Sequence, residues 1–197
     1  MRRSGTTEAA SNAGRHASLR RLVLTALATA VAYYLGAWLG ASLRTQPEPV
    51  STLWPPNAIL LGILLLVPVR AWPVMLLAVL PAHLLVQLHT GVPLPMALLW
   101  YVSNCTEAVI GAVCIRRMIA PPVSFDSFRR VVIFVVLGAG LAPFLSSFLD
   151  AGFVHWNRYG NDPNFWSVWR ARFFSNALSM LTIVPAIVHL RTHRLAQ

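Results

Sequence analysis

Charge is what this chain of 197 residues has least of: Asp, Glu, Lys and Arg together make up 11% of it, and only six residues are acidic. A soluble domain carries about 25% charged residues, so an ordinary water-exposed surface is excluded. Lysine is missing altogether; all 16 basic residues are arginine. Cysteine is limited to Cys105 and Cys114. They fall nine residues apart on one predicted helix, ~13 Å at about 1.5 Å per residue, which is too far for a disulfide. No CxxC or zinc-type spacing occurs, so a metal-stapled or thioredoxin-like domain is excluded as well.

What is present is apolar. Hydrophobic residues make up 56% of the chain and the mean hydropathy is +0.61. Several apolar runs approach 20 residues, the length needed to cross a bilayer as helix. The expected fold is all-α: one polytopic transmembrane bundle of about six helices. Residues 1–19, rich in Ser, Ala, Asn and Arg, read as a disordered cytoplasmic tail, with the membrane domain covering 20–197. The first run, Leu22 to Leu43, is too long for the apolar region of a cleaved signal. It carries Gly36-x-x-x-Gly40, which suits close helix packing inside the domain better than a dimer face. Arg44 to Val50, with Pro47 and Pro49, forms an outer loop.

Trp54-Pro55-Pro56-Asn57 opens the second run, to Val69. Proline suits the first helical turn, where its missing N–H has no acceptor to lose. The third run spans Ala71 to Leu88, with Pro81 as a kink and His83 two residues on. The fourth spans Leu94 to Ile115. The fifth spans Val131 to Leu149, with a kink at Pro143. Residues 150–167 form the longest outer loop; its Phe153, Trp156, Tyr159, Phe165 and Trp166 serve as an interfacial belt or cover a ligand mouth. The sixth run spans Val168 to Leu190.

The net charge of +10 invites a nucleic-acid reading. The arginines, however, lie between apolar runs rather than on one amphipathic face, so no nucleic acid is expected as a partner. They act instead as orientation signals. With the N-terminus inside, 12 arginines fall in cytoplasmic segments and four (Arg44, Arg158, Arg170 and Arg172) fall outside. Cytoplasmic loops carry the excess of Arg and Lys, so both termini are expected in the cytoplasm.

Chemistry inside the membrane is sparse. Glu107 is read as the sole acid near the middle of an apolar run, within Ser103-Asn104-Cys105-Thr106-Glu107. An intramembrane carboxylate is costly and marks a functional position by default. Asn104 lies on the same helical face as Glu107. Arg172 sits one to two turns inside the sixth run; it either pairs with Glu107 or snorkels outward. Trp54 and Asn57, Trp100 and Asn104, and Trp169 and Asn176 recur on helices expected to run the same way. Two readings fit that recurrence: a shared polar pocket between repeated two-helix units, or three independent interhelical hydrogen bonds. His83 has no second histidine at matching depth, so neither haem nor a metal is expected. Cys105, His83 and Arg172 match a Cys-His-Arg membrane transpeptidase in residue types only, and no catalytic spacing supports an enzyme. The candidate site is therefore a signal or ligand pocket of Glu107, Asn104, Arg172, Asn57, Asn176, Trp54 and His83, with no cofactor.

Trp54-Pro55-Pro56-Asn57 with the apolar helix after it, the turn Arg70-Ala71-Trp72-Pro73, Asn104-x-x-Glu107 and Arg116-Arg117 together resemble the MASE1 family. The likeness continues through Trp169, Asn176-Ala177-Leu178 and Pro185 and covers about residues 50–190. Ser179 departs from it, standing where members often have Gly. The resemblance implies a multi-pass sensory domain in the bacterial inner membrane. Its partners would be the bilayer, a second copy of the chain in a homodimer, and a cytoplasmic output domain, either a histidine kinase or a diguanylate cyclase or phosphodiesterase. The sequence ends at Gln197, where members continue into further helices and that output domain. A small polytopic transporter or substrate-binding membrane subunit is the alternative, since broken helices and a midplane carboxylate also suit transport.

The arginine bias is directly testable. A cysteine replacing Asn161 should react with a membrane-impermeant thiol reagent in intact cells, and one replacing Gln197 should not. The reverse pattern would overturn the orientation.

Overall fold

The computed structural model describes residues 4–44, 51–160 and 164–196, with the side chains of 4–16 and 192–196 excepted. Pro47, Pro49, Asn161 and Gln197 lie outside the described residues. Among the described residues the architecture is a bundle of six helices: α1 Ser4–Ser42, α2 Pro55–Leu66, α3 Trp72–His89, α4 Leu94–Met118, α5 Phe128–Trp156 and α6 Phe165–Ala196. Five of these are long and apolar enough to cross a membrane. Among the described residues there is no strand, only a lone bridge between Arg44 and Ser51.

The second run departs from the expected full-length span. α2 has 12 residues, ~18 Å of helix against a hydrocarbon core of about 30 Å. Its length makes sense from its position. It packs against α1, α4 and α6, and Pro55 to Ala58, Leu60 to Gly62, Leu64 and Leu65 are all buried. A helix that is apolar all round belongs in an interior, and this one is the axis of the bundle. Irregular chain at either end completes its passage through the domain. Trp54 lies against Gly40 of α1, and Arg70 shares a pocket with Arg21, near the start of the apolar part of α1.

The α2 entrance reduces the number of backbone N–H groups that need a partner. Pro55 and Pro56 occupy the first helical positions and have no N–H to satisfy. The Trp54 N–H donates to Ser179 Oγ on α6 at 2.9 Å, and that hydroxyl donates in turn to the Ser175 carbonyl at 2.8 Å. Ser179 thus docks the start of α2 on α6. At the far end the Trp72 indole N–H donates to the Leu64 carbonyl at 3.0 Å, and the Arg116 guanidinium lies 5.6 Å from the Trp72 ring centroid. Tyr101 of α4 donates to the Leu76 carbonyl of α3.

α1 is helical from Ser4 onward. Nucleation is the costly step of helix formation, and the apolar segment supplies a nucleus that alanine-containing sequence can extend. Two further expectations are corrected. The loop expected at 150–167 is shorter, because α5 runs on to Trp156 and α6 begins at Phe165. Val154 is buried among Val92, Trp100 and Val168, which gives the extra turn of α5 an apolar surface to cover. The kink expected at Pro143 takes the form of a π-helical stretch, Phe134–Leu141, immediately before it. Proline cannot donate to the carbonyl four residues back, and widening the preceding turns is one way a helix absorbs that loss.

The GxxxG segment of α1 serves internal packing, as its sequence suggests. A Cβ on Gly36 would stand 2.7 Å from Ile59 Cδ1 and 3.2 Å from Pro55 Cβ, and one on Gly40 would stand 2.6 Å from Trp54 Cε3. Gly40→Ala must displace a buried indole and should destabilise the fold by about 1–3 kcal/mol. Gly152→Ala on α5, where the added methyl meets nothing within 4 Å, should be neutral or stabilising by about 0.5–1 kcal/mol. Thermal unfolding of the two variants in detergent checks the contrast; equal effects would contradict the packing account.

Candidate functional site

Three helices carry polar residues at one-turn spacing on their buried faces: Ser103, Asn104 and Glu107 on α4; Ser146, Ser147 and Asp150 on α5; Arg172, Ser175, Asn176 and Ser179 on α6. Residues four apart on a helix share a face and sit about 6 Å apart along the axis. The three faces meet, and the polar groups fall into two tiers.

The inner tier is centred on Glu107, which is fully buried. Its Oε2 accepts hydrogen bonds from the Ser146 hydroxyl of α5 and from the Asn176 amide of α6, the latter at 2.7 Å. Asn57 of α2 faces the same carboxylate, but neither its amide nitrogen nor its oxygen is hydrogen-bonded. Glu107 Oε1 and Asn176 Oδ1 are likewise buried and unpartnered. Four helices therefore converge on one carboxylate with hydrogen-bonding capacity to spare. Buried polar groups are normally satisfied, so such a concentration calls for waters or a polar ligand.

The outer tier, about one turn away, holds Asp150 and Arg172. Both are buried, and each lies within electrostatic range of the other. They make no direct ion pair: among the described residues the one salt bridge is Asp126–Arg130, at 2.9 Å on the loop before α5 and its first turn. The Arg172 guanidinium instead lies over the Trp100 ring, 4.5 Å from its centroid. Trp100 in turn meets the edge of Tyr159. A cation over an indole face gains about 0.5–2 kcal/mol, more where water is excluded. Both Asp150 carboxylate oxygens, Arg172 Nε and the Trp100 indole N–H are buried without partners. Arg44, beyond the end of α1, donates to Gln87 at 2.9 Å. Burial, then the neighbouring charge of Arg172, lowers the Arg44 pKa from its ordinary value.

Beside the inner tier runs a separate hydrogen-bonded string. Asn104 donates to the Tyr33 hydroxyl at 3.1 Å, Tyr33 meets His83 Nδ1 at 3.0 Å, and His83 Nε2 meets the Ala97 carbonyl at 3.0 Å. Both ring nitrogens of His83 are thus engaged in linking α1, α3 and α4. Among the described residues no group of three or more His, Cys, Asp or Glu is arranged to hold a metal.

The expected residues are therefore divided. Glu107, Asn176 and Asn57 come together. Asn104 and His83 meet at Tyr33 instead. Trp54 borders the cluster through Ser179. The expected Glu107–Arg172 pair is not formed, because Glu107 is engaged by Ser146 and Asn176 while Arg172 has an acid near its own level. That acid, Asp150, lies in α5 and not in the expected outer loop, so Glu107 is not the sole buried acid. Tyr33, Ser146 and Asp150 are the members that sequence reasoning missed. The spacing of Ser146 and Asp150, matching Ser103 and Glu107, was the available signal.

Among known proteins, the profile of one family, MASE1, matches residues 25–197. No curated protein and no solved structure matches the chain.

The two tiers predict which substitutions couple. In double-mutant cycles read by unfolding in detergent, Asp150→Asn with Arg172→Met should show a coupling of roughly 0.5–3 kcal/mol. Glu107→Leu with Arg172→Met should be additive to within about 0.5 kcal/mol. Stronger coupling in the second cycle than in the first would contradict the assignment.

Proposed function

Because the chain belongs to the MASE1 family, the membrane-integral sensory domains of bacterial signalling proteins, we propose that it is an input module whose switch is the polar cluster at Glu107. The observation that carries this reading is the convergence of α2, α4, α5 and α6 on one buried carboxylate with unpartnered polar atoms around it. A polar signal molecule entering from the outer side would compete for the Ser146 and Asn176 hydrogen bonds and engage Asn57. Its differential affinity for two helix arrangements would set their populations. The π-helical stretch preceding Pro143 and Ser146 offers a place to absorb a change of register, since such stretches interrupt regular helix geometry.

The output we propose is a cytoplasmic histidine kinase, diguanylate cyclase or phosphodiesterase acting downstream of α6. The arginine bias supports cytoplasmic termini, and α6 would carry the change across the membrane. A homodimer would use the exposed Leu24, Leu27, Val31 and Leu35 of α1, since the Gly36 and Gly40 face is taken up by α2. The module would act by shifting helices and would perform no catalysis itself.

The test joins this chain to a kinase or cyclase reporter. Glu107→Gln and Asn57→Leu should each shift basal output by roughly fivefold or more, about the smallest effect expected of a typical allosteric coupling, at unchanged membrane level. Unaltered output from both variants would sink the reading. Solute flux into vesicles carrying the pure protein would favour a transporter instead.

A further inference from the structure

At the arginine-rich end of the bundle, α1, the turn between α2 and α3, and α6 enclose a pocket of about 540 Å³. Arg21, Arg70 and Arg191 come from those three separate places and line it together, and among the described residues no carboxylate does. Among the described residues none of the three guanidiniums forms an ion pair or a hydrogen bond. Ser18 and Thr25 also line it, and the rest of the wall is apolar, with Leu22, Ile63 and Leu66 among its residues. Ile63 lies about one turn before the end of α2 and Arg70 in the turn beyond that end, so the wall leads from the arginines back along α2 into the span. α1 and α6 each pack on α2 and scarcely on one another; the pocket lies between them.

We propose that this pocket is a binding site for an anionic phospholipid, with the phosphate of the headgroup between Arg21, Arg70 and Arg191 and an acyl chain along Leu22, Ile63 and Leu66. Guanidiniums pair with phosphate oxygens in bidentate geometry, and arginine is the residue suited to that task. Basic pockets between transmembrane helices on the cytoplasmic side suit such headgroups, which are concentrated in the adjoining leaflet. A free phosphate would satisfy the three cations but leave the apolar wall unused. The apolar residues of the wall favour the lipid over the free ion. The occupied site would tie α1, the α2–α3 turn and α6 together at the end from which α6 leaves the membrane. The inference does not rest on the sensory reading and would hold equally for a transporter.

Lipid titration of the purified full chain, followed by native mass spectrometry, tests it. Phosphatidylglycerol should bind in preference to phosphatidylcholine. Near-surface arginines contribute about fivefold each to anionic-lipid affinity, so Arg21→Gln with Arg70→Gln and Arg191→Gln should weaken phosphatidylglycerol binding by roughly a hundredfold. A control with the same loss of charge outside the pocket, Arg20→Gln with Arg117→Gln and Arg129→Gln, should retain the site. If the triple variant fails to fold, Arg191→Gln alone should still give about a fivefold loss. Equal binding of the two lipids, or an equal loss in the control, would overturn the proposal. Inorganic phosphate displacing phosphatidylglycerol at matched concentration would assign the site to the free anion and overturn the lipid reading as well.

Discussion

A carboxylate that has left water must be held by hydrogen bonds or it destabilises whatever encloses it. In this bundle Glu107 is held from α5 by Ser146 and from α6 by Asn176. Van der Waals packing between apolar helices is weakly specific in lipid, where tails are as apolar as the side chains they replace. Polar contacts at fixed depth supply the register that apolar contacts lack. The Glu107 cluster therefore sets how α4, α5 and α6 align, while also holding the unpartnered groups that could respond to a ligand.

The other organising feature is the short α2. It has no polar surface beyond Asn57, and it is enclosed by α1, α4 and α6. Its neighbours accommodate it through absent side chains, at Gly36 and Gly40 on α1 and at Gly111 on α4. It is anchored at one end by the Trp54–Ser179 hydrogen bond and at the other by Trp72. Because Asn57 projects from this buried axis toward Glu107, displacing the cluster would be felt by three surrounding helices at once.

Much of this was legible in the residues. Apolar runs located the five spans, the double proline marked the start of α2, and Glu107 identified itself by being an acid in an apolar run. Glycine spacing in α1 pointed correctly to internal packing. What was hidden depended on tertiary contact. Asp150 stands at the end of an apolar run, and only the packing of Val154 against α4 and α6 keeps the helix going past it. Arg172 was matched to Glu107 because a long side chain could reach that far, but reach does not decide between two acids. Tyr33 gave no local sign of its role, being one of two adjacent tyrosines in α1; Tyr33 is buried and Tyr34 is exposed. The polar stripes of α4, α5 and α6 have the same spacing, and comparing them would have placed Ser146 and Asp150 in the site.

Glu107 holds α5 and α6 in place through Ser146 and Asn176. Hydrogen–deuterium exchange on wild type and on Glu107→Leu, both in the same lipid discs, reads this helix by helix. Loss of the carboxylate should raise exchange together in the segments around Ser146 on α5 and Asn176 on α6, because opening free energies report the local contacts that are lost. Exchange raised on α4 alone, with α5 and α6 unchanged, would contradict the account.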